Sequence, residues 1–181
     1  MPKTPEIRIR KLNGLAPAPG RNFVLYLMTV SRRLSWNFAL DRAVEWAQEL
    51  SRPLLIVECL ECGGRWDSER SHAFVLAGMA QNAKTAARKD VSYYPFVEKS
   101  AGESDGLLTA LAARACVVIG DDFPLKETRR KWAARDFPAP VELVDSNGIL
   151  PLREANRVFP TAYAFRRFLQ RELLRHLDDF P

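Results

Sequence analysis

The sequence predicts a doubly wound α/β fold, and two observations carry that expectation. Short β-rich runs alternate with stretches of helical period, and the runs ending at Cys59 and before Gly120 are almost continuously apolar, as strands covered on both faces must be. The length of 181 residues suits one domain with a proper core.

Taken in order, the β-rich runs are Phe23–Met28, Pro53–Cys59, Val91–Phe96, Ala115–Ile119 and Pro140–Val144. The first helix is expected to be capped by Ser35, with Trp36, Leu40, Ala43, Ala47 and Leu50 sharing one apolar face. A second follows Ser68, with Ala73, Leu76, Ala80, Ala83 and Ala87 on one side, and a third covers Glu103–Arg114. The fourth is expected to open with Pro124 at its first position, where a missing N–H costs nothing, and to reach about Arg135. A fifth helix, from Thr161 to Leu177, carries the apolar stripe Phe165, Phe168, Leu169, Leu173, Leu177 and an arginine row at 167, 171 and 175.

Right-handed crossovers turn this βαβαβαβαβ pattern into a Rossmann-like five-stranded parallel sheet of order 3-2-1-4-5, with helices on both faces and a C-terminal linker helix. The expected organisation is a basic flexible tail over 1–22, an α/β domain over 23–152, and a linker and helix over 153–181. The net charge of +5 resides mostly in that tail, where Lys3, Arg8, Arg10, Lys11 and Arg21 face Glu6 alone, so charge gives no argument for nucleic-acid binding.

In this fold ligands enter where the winding reverses, at the carboxyl ends of the strands. Between the first and fourth strands the meeting loops would supply Thr29, Ser31, Arg32, Arg33, Asp121 and Asp122, the candidate binding residues. Other chemistry is missing. No G-x-x-x-x-G-K-[ST], G-x-G-x-x-G or G-x-S-x-G occurs. Cys59 and Cys62 form a single C-x-x-C without the further ligands a structural zinc needs, so no metal site is expected and the thiols are read as reduced. No apolar run reaches 18 residues, and the expectation is a cytoplasmic protein with no membrane contact.

Five segments then carry a family likeness. Tyr26-Leu-Met-Thr-Val-Ser-Arg-Arg-Leu-Ser-Trp-Asn-Phe-Ala-Leu40 resembles the opening strand and helix of the class II DNA photolyases. Ser71-His-Ala-Phe-Val-Leu-Ala-Gly-Met79 is similar to that family's Arg-His-Tyr-x-Phe-Met-x-x-Gly-Leu helix, and Val117-Val-Ile-Gly-Asp-Asp-Phe-Pro-Leu125 to its Val-x-Asp-x-x-Pro-Leu segment. Val144-Asp-Ser-Asn-Gly-Ile-Leu-Pro151 and Ala162-Tyr-Ala-Phe-Arg-Arg167 resemble the stretches that close the domain.

The resemblance implies the N-terminal antenna domain of a deoxyribodipyrimidine photolyase, holding a deazaflavin or a folate at the strand ends. In that family the antenna passes excitation to FAD in a separate helical domain, which splits cyclobutane pyrimidine dimers. The implied partner is therefore a helical FAD-binding domain, in the same parent chain or separate, with DNA reached only through it. That domain is not among these residues, so no catalytic residue is expected here, and Trp36, Trp46, Trp66 and Trp132 are read as packing rather than an electron relay. Two alternatives stand beside it: a nucleotide-binding sensor of the universal-stress or electron-transfer-flavoprotein type, and a structural module docking through its last helix.

Overall fold

The computed structural model describes residues 3–89 and 91–181. The strands are β1 (Ile9–Lys11), β2 (Phe23–Met28), β3 (Leu54–Leu60), β4 (Ser92–Val97), β5 (Ala115–Asp121) and β6 (Val141–Val144), and the helices are α1 (Phe38–Leu50), α2 (Glu69–Arg88), α3 (Glu103–Arg114), α4 (Lys126–Ala134) and α5 (Ala162–Glu172). All six strands form one sheet of order β1-β6-β5-β2-β3-β4. Leaving out β1, this is the expected order read from its other edge, with every one of those pairings parallel.

Two apolar layers flank the sheet because alternate residues of each strand point to opposite faces. Leu25 and Leu27 of β2 join Val57, Val118, Leu108, Ala112 and Trp132 on the α3–α4 side, while Val24, Tyr26 and Met28 join Ile56, Val117, Phe38, Ala39 and Ala43 on the α1 side. Gly120 in β5 brings the second of these helices on the first face close: a Cβ there would stand 2.2 Å from the Trp132 ring, so only glycine lets the indole lie flat against the strand.

Three expectations are corrected. The reading of 1–22 as a flexible tail, whose first two residues lie outside the described ones, is overturned for its first half: Glu6–Arg8 forms a 3₁₀ turn and β1 adds antiparallel to β6. Arg8 is fully buried, its guanidinium 3.8 Å from Asp145, 4.2 Å above the Phe38 ring and hydrogen-bonded to the carbonyls of Gly148 and Ile149. Burial lowers its pKa, partly offset by the charges of Asp145 and Asp179. A basic segment reads as solvated unless its buried partners are known, and they lie about 140 residues further along the chain.

The cap of α1 is Asn37 rather than Ser35. Its Oδ1 accepts from the amides of Ala39 and Leu40, and Nδ2 donates to the Tyr26 hydroxyl and two loop carbonyls, fixing the helix start against the sheet. Trp36, between the two, takes φ +53°, which turns Ser35 out of capping position. Helix α4 begins at Lys126 after an extended Leu125, so Pro124 precedes the helix instead of opening it. The chain leaves β5 still extended because the Asp122 amide bonds the Val144 carbonyl and its carboxylate bonds Arg10.

Candidate functional site

Loops 29–35 and 120–123 do converge, and Asp121 is what joins them. Its carboxylate, 1% exposed, accepts at Oδ2 from the amides of Thr29 (2.8 Å), Val30 (2.7 Å) and Ser31 (3.1 Å) and at Oδ1 from the Tyr26 hydroxyl (2.9 Å). Burial, together with the adjacent Asp121 charge, pushes the Tyr26 phenol well above its ordinary pKa and keeps it a donor. Backbone N–H groups after the first parallel strand are where many α/β folds seat a phosphate. Here a side chain of the protein itself occupies them.

The open space therefore lies beside the reversal of winding. A cleft of about 410 Å³ opens over the carboxyl ends of β2 and β3, floored by Leu27, Val57, Leu108 and Trp132 and walled by the first turns of α2 and by α4. Of the six residues expected to bind, Thr29 and Arg32 line it. Asp121 is enclosed as described, Ser31 is buried under the loop, and Asp122 is buried and held by the Arg10 guanidinium through two bonds of 3.1 Å. Arg33 turns outward, its Nε donating to the Trp36 carbonyl.

Arg32 owes its place to a buried polar cluster in β3. Glu58, fully enclosed in a central strand, accepts from Arg32 Nη1 (3.0 Å), Asn82 Nδ2 (2.9 Å) and the Tyr93 hydroxyl (2.5 Å), while Arg32 Nη2 donates to the Cys59 carbonyl (2.8 Å). Burial, reinforced by the Glu58 contact, raises the Tyr93 phenol so that it stays protonated and donates. A carboxylate held on several sides fixes the guanidinium in one orientation at the cleft wall. Glu58 and its partners were absent from the expected site, though an acidic residue inside a run as apolar as Leu54–Leu60 is a signal that something must neutralise it.

The opposite wall is ionic. Glu61 is bonded by Lys131 of α4 and by Arg135 (2.9 Å) just after that helix. Burial would raise its pKa, but the Lys131 hydrogen bond and the two positive charges hold the carboxyl below its usual range. The Cys59 thiol at the floor is pushed up to about 11, by burial first and then by the Glu61 charge. Cys62 is also raised, by desolvation and then by Glu98, Asp67 and Glu103. Both cysteines are free thiols, and no group of three or more His, Cys, Asp or Glu positioned for a metal occurs among the described residues.

The packing role expected for the four tryptophans holds for Trp132, which is buried, and for Trp46, whose Nε1 donates to Glu142. It is corrected for Trp36 and Trp66, which are 65% and 79% exposed. Trp36 meets Phe180 edge-on, away from the cleft, whereas Trp66 stands at the cleft's rim.

No family model matches the chain. The chain is 29% identical over 174 residues to a deoxyribodipyrimidine photo-lyase of Methanothermobacter thermautotrophicus, an alignment that takes in 94% of this chain and 38% of that protein. It thus spans well under half the length of the curated relative it matches. Among solved structures, a protein from the universal stress protein family of Burkholderia pseudomallei superposes with a TM-score of 0.40 at 16% identity, covering 71% of this chain and 96% of that one. Among the described residues no helix is long and apolar enough to cross a membrane. Nearly the whole chain is therefore similar to one part of a photolyase, arranged as a mostly parallel α/β sheet with an open cleft at its carboxyl edge.

Proposed function

We propose that this chain is the N-terminal α/β domain of a class II-like photolyase, and that its cleft binds a flat light-absorbing chromophore, a deazaflavin or a folate, whose excitation passes to FAD on a helical partner domain. The similarity to a deoxyribodipyrimidine photo-lyase along 94% of the chain carries the reading. The cleft supports it: an apolar floor suits a conjugated ring, and Arg32, oriented by Glu58, offers fixed donors to an electronegative ring edge. Thr29 lies beside it on the same rim. Chromophore binding and energy transfer are the whole of this domain's part, with repair of pyrimidine dimers in DNA belonging to the helical partner.

The test is an absorption spectrum of the purified chain after incubation with 8-hydroxy-5-deazariboflavin or 5,10-methenyltetrahydrofolate and removal of the excess. Retained near-ultraviolet or visible absorbance supports the antenna role, and none at large excess of both removes it. Calorimetric titration with ATP serves as the comparison, since a nucleotide sensor would take up the triphosphate. The Asp121 carboxylate already on the loop amides argues against that outcome.

A further inference from the structure

The loop between β3 and α2 ends in a tight turn whose tip residue Trp66 is 79% exposed. At its root the Cys62 amide donates to Glu98 (2.9 Å), and Gly63, at φ +83°, passes so close to Ala101 that a Cβ would stand 2.9 Å from it. The Gly64 amide then donates to the Asp67 carboxylate (2.7 Å) while the Asp67 amide donates back to the Gly64 carbonyl (3.1 Å), closing a four-residue turn. Asp67 also lies 3.5 Å from Nε2 of His72 in the first turn of α2. The loop is thus fastened at its root and across its neck.

Its two tip residues, Arg65 and Trp66, lean on each other, the guanidinium carbon 4.8 Å from the indole ring. Folding leaves Trp66 mostly in water, although an indole that size would gain by burial, and it does so at the one place where its ring borders an apolar-floored cleft. The turn thus holds an aromatic ring at the rim of that opening, with the Arg65 guanidinium packed on the indole itself. Trp36, similarly exposed, lies outside the cleft and has Phe180 for company.

Resting on the reading that the cleft takes a flat chromophore, we propose that the Arg65–Trp66 turn is its outer wall. The indole stacks on the face of a conjugated ring seated over the carboxyl ends of β2 and β3, while the Arg65 guanidinium packs against the indole itself. The turn thereby selects planar conjugated guests over saturated ones of equal volume.

Binding of 8-hydroxy-5-deazariboflavin and of 5,10-methenyltetrahydrofolate to the full chain is measured by the anisotropy of each probe and by quenching of tryptophan emission. Trp66→Ala should weaken binding about tenfold or more, the scale of losing one aromatic stacking contact, while Trp66→Phe stays near the parent. Trp36→Phe should leave both affinity and quenching unchanged, and Trp66→Phe should remove a large share of the quenching and leave that of Trp132 at the cleft floor. Far-ultraviolet dichroism and melting temperature should be unaltered, since the replaced ring is exposed. If the parent binds a probe and Trp66→Ala binds it equally well, the wall is refuted and the cleft reading survives. If the parent binds neither probe, the cleft reading fails and the wall falls with it.

Discussion

Replacing Asp121 by alanine should be among the most damaging single changes in the chain. Among the described residues the carboxylate accepts from the amides of Thr29, Val30 and Ser31 and from the Tyr26 hydroxyl, all within 3.1 Å. A buried donor left without a partner costs about 1–3 kcal/mol, and bonds to a charged acceptor stand at the upper end of that scale. Thr29 and Val30 are half-exposed and regain water, whereas Ser31 and Tyr26 are buried and do not. The expected loss is about 3–5 kcal/mol, a large share of the ~5–15 kcal/mol that a domain of ordinary stability has. Asp121→Asn keeps one oxygen for the three amides and turns its NH₂ toward the phenol, so about 1–3 kcal/mol is expected. Urea unfolding at constant m-value measures both, and amide exchange at residues 29–31 should quicken in the alanine variant before global unfolding does. A loss below about 1 kcal/mol for Asp121→Ala, or equal losses for the two variants, would refute the view that this carboxylate holds the loop.

Glu61 and Glu98 test the acid side. Glu98 is subject to burial, which raises its pKa, yet the hydroxyl and amide of Ser104 and the amides of Cys62 and Gly102 hold it below the usual range, as Lys131 and Arg135 do for Glu61. Both bind a proton more weakly folded than unfolded, so their stabilisation is complete above the unfolded value near ~4.3 and drains as pH falls through the lower folded values. Glu98→Gln should accordingly lose less stability than the parent as pH falls from ~5 to ~3, by urea unfolding at each pH. Gly120→Ala forces a methyl into the Trp132 ring and should cost about 1–3 kcal/mol or more, partly recovered by Trp132→Leu in the same chain; an unchanged melting temperature would show that the ring can move aside. Arg8→Ala should lower stability by about 3–5 kcal/mol by leaving Asp145 buried without its cation, read by thermal melting. At pH ~8 only about a thousandth of the folded Cys59 thiol, at about 11, is thiolate, so it should resist Ellman's reagent until the chain is unfolded.

The parallel core of the fold was legible because its strands and helices advertise themselves locally. A strand buried on both faces has to be apolar throughout, as Ala115–Ile119 is, and an amphipathic helix has to repeat near 3.6, as Glu103–Arg114 does; neither demand depends on a distant residue. What escaped notice depended on partners far away in sequence. Ile9–Lys11 is too short and too basic to read as a strand, and only the β6 edge and the Asp145 pocket for Arg8 make it one. The convergence of the two loops at the reversal point followed from topology. Whether the Asp121 side chain would face a guest or fold back onto the loop amides turned on a few torsions, which no spacing rule encodes. The cleft moved one strand over for that reason, and Glu58, Glu61 and the Trp66 turn came into it unannounced.

The short β1 has a bearing on how this molecule behaves in a crowd. A sheet ordinarily leaves two raw borders along which a stranger's backbone can zip up. Here one border is sealed by a reversed three-residue splice anchored on Arg8, and the other, β4, carries Pro95 in its midst, which has no N–H to offer an incoming chain. Lateral growth into ribbons or fibres is thus discouraged at both ends of the sheet. The surfaces left most open to contact are those of helices and loops, where side chains rather than backbone set the terms.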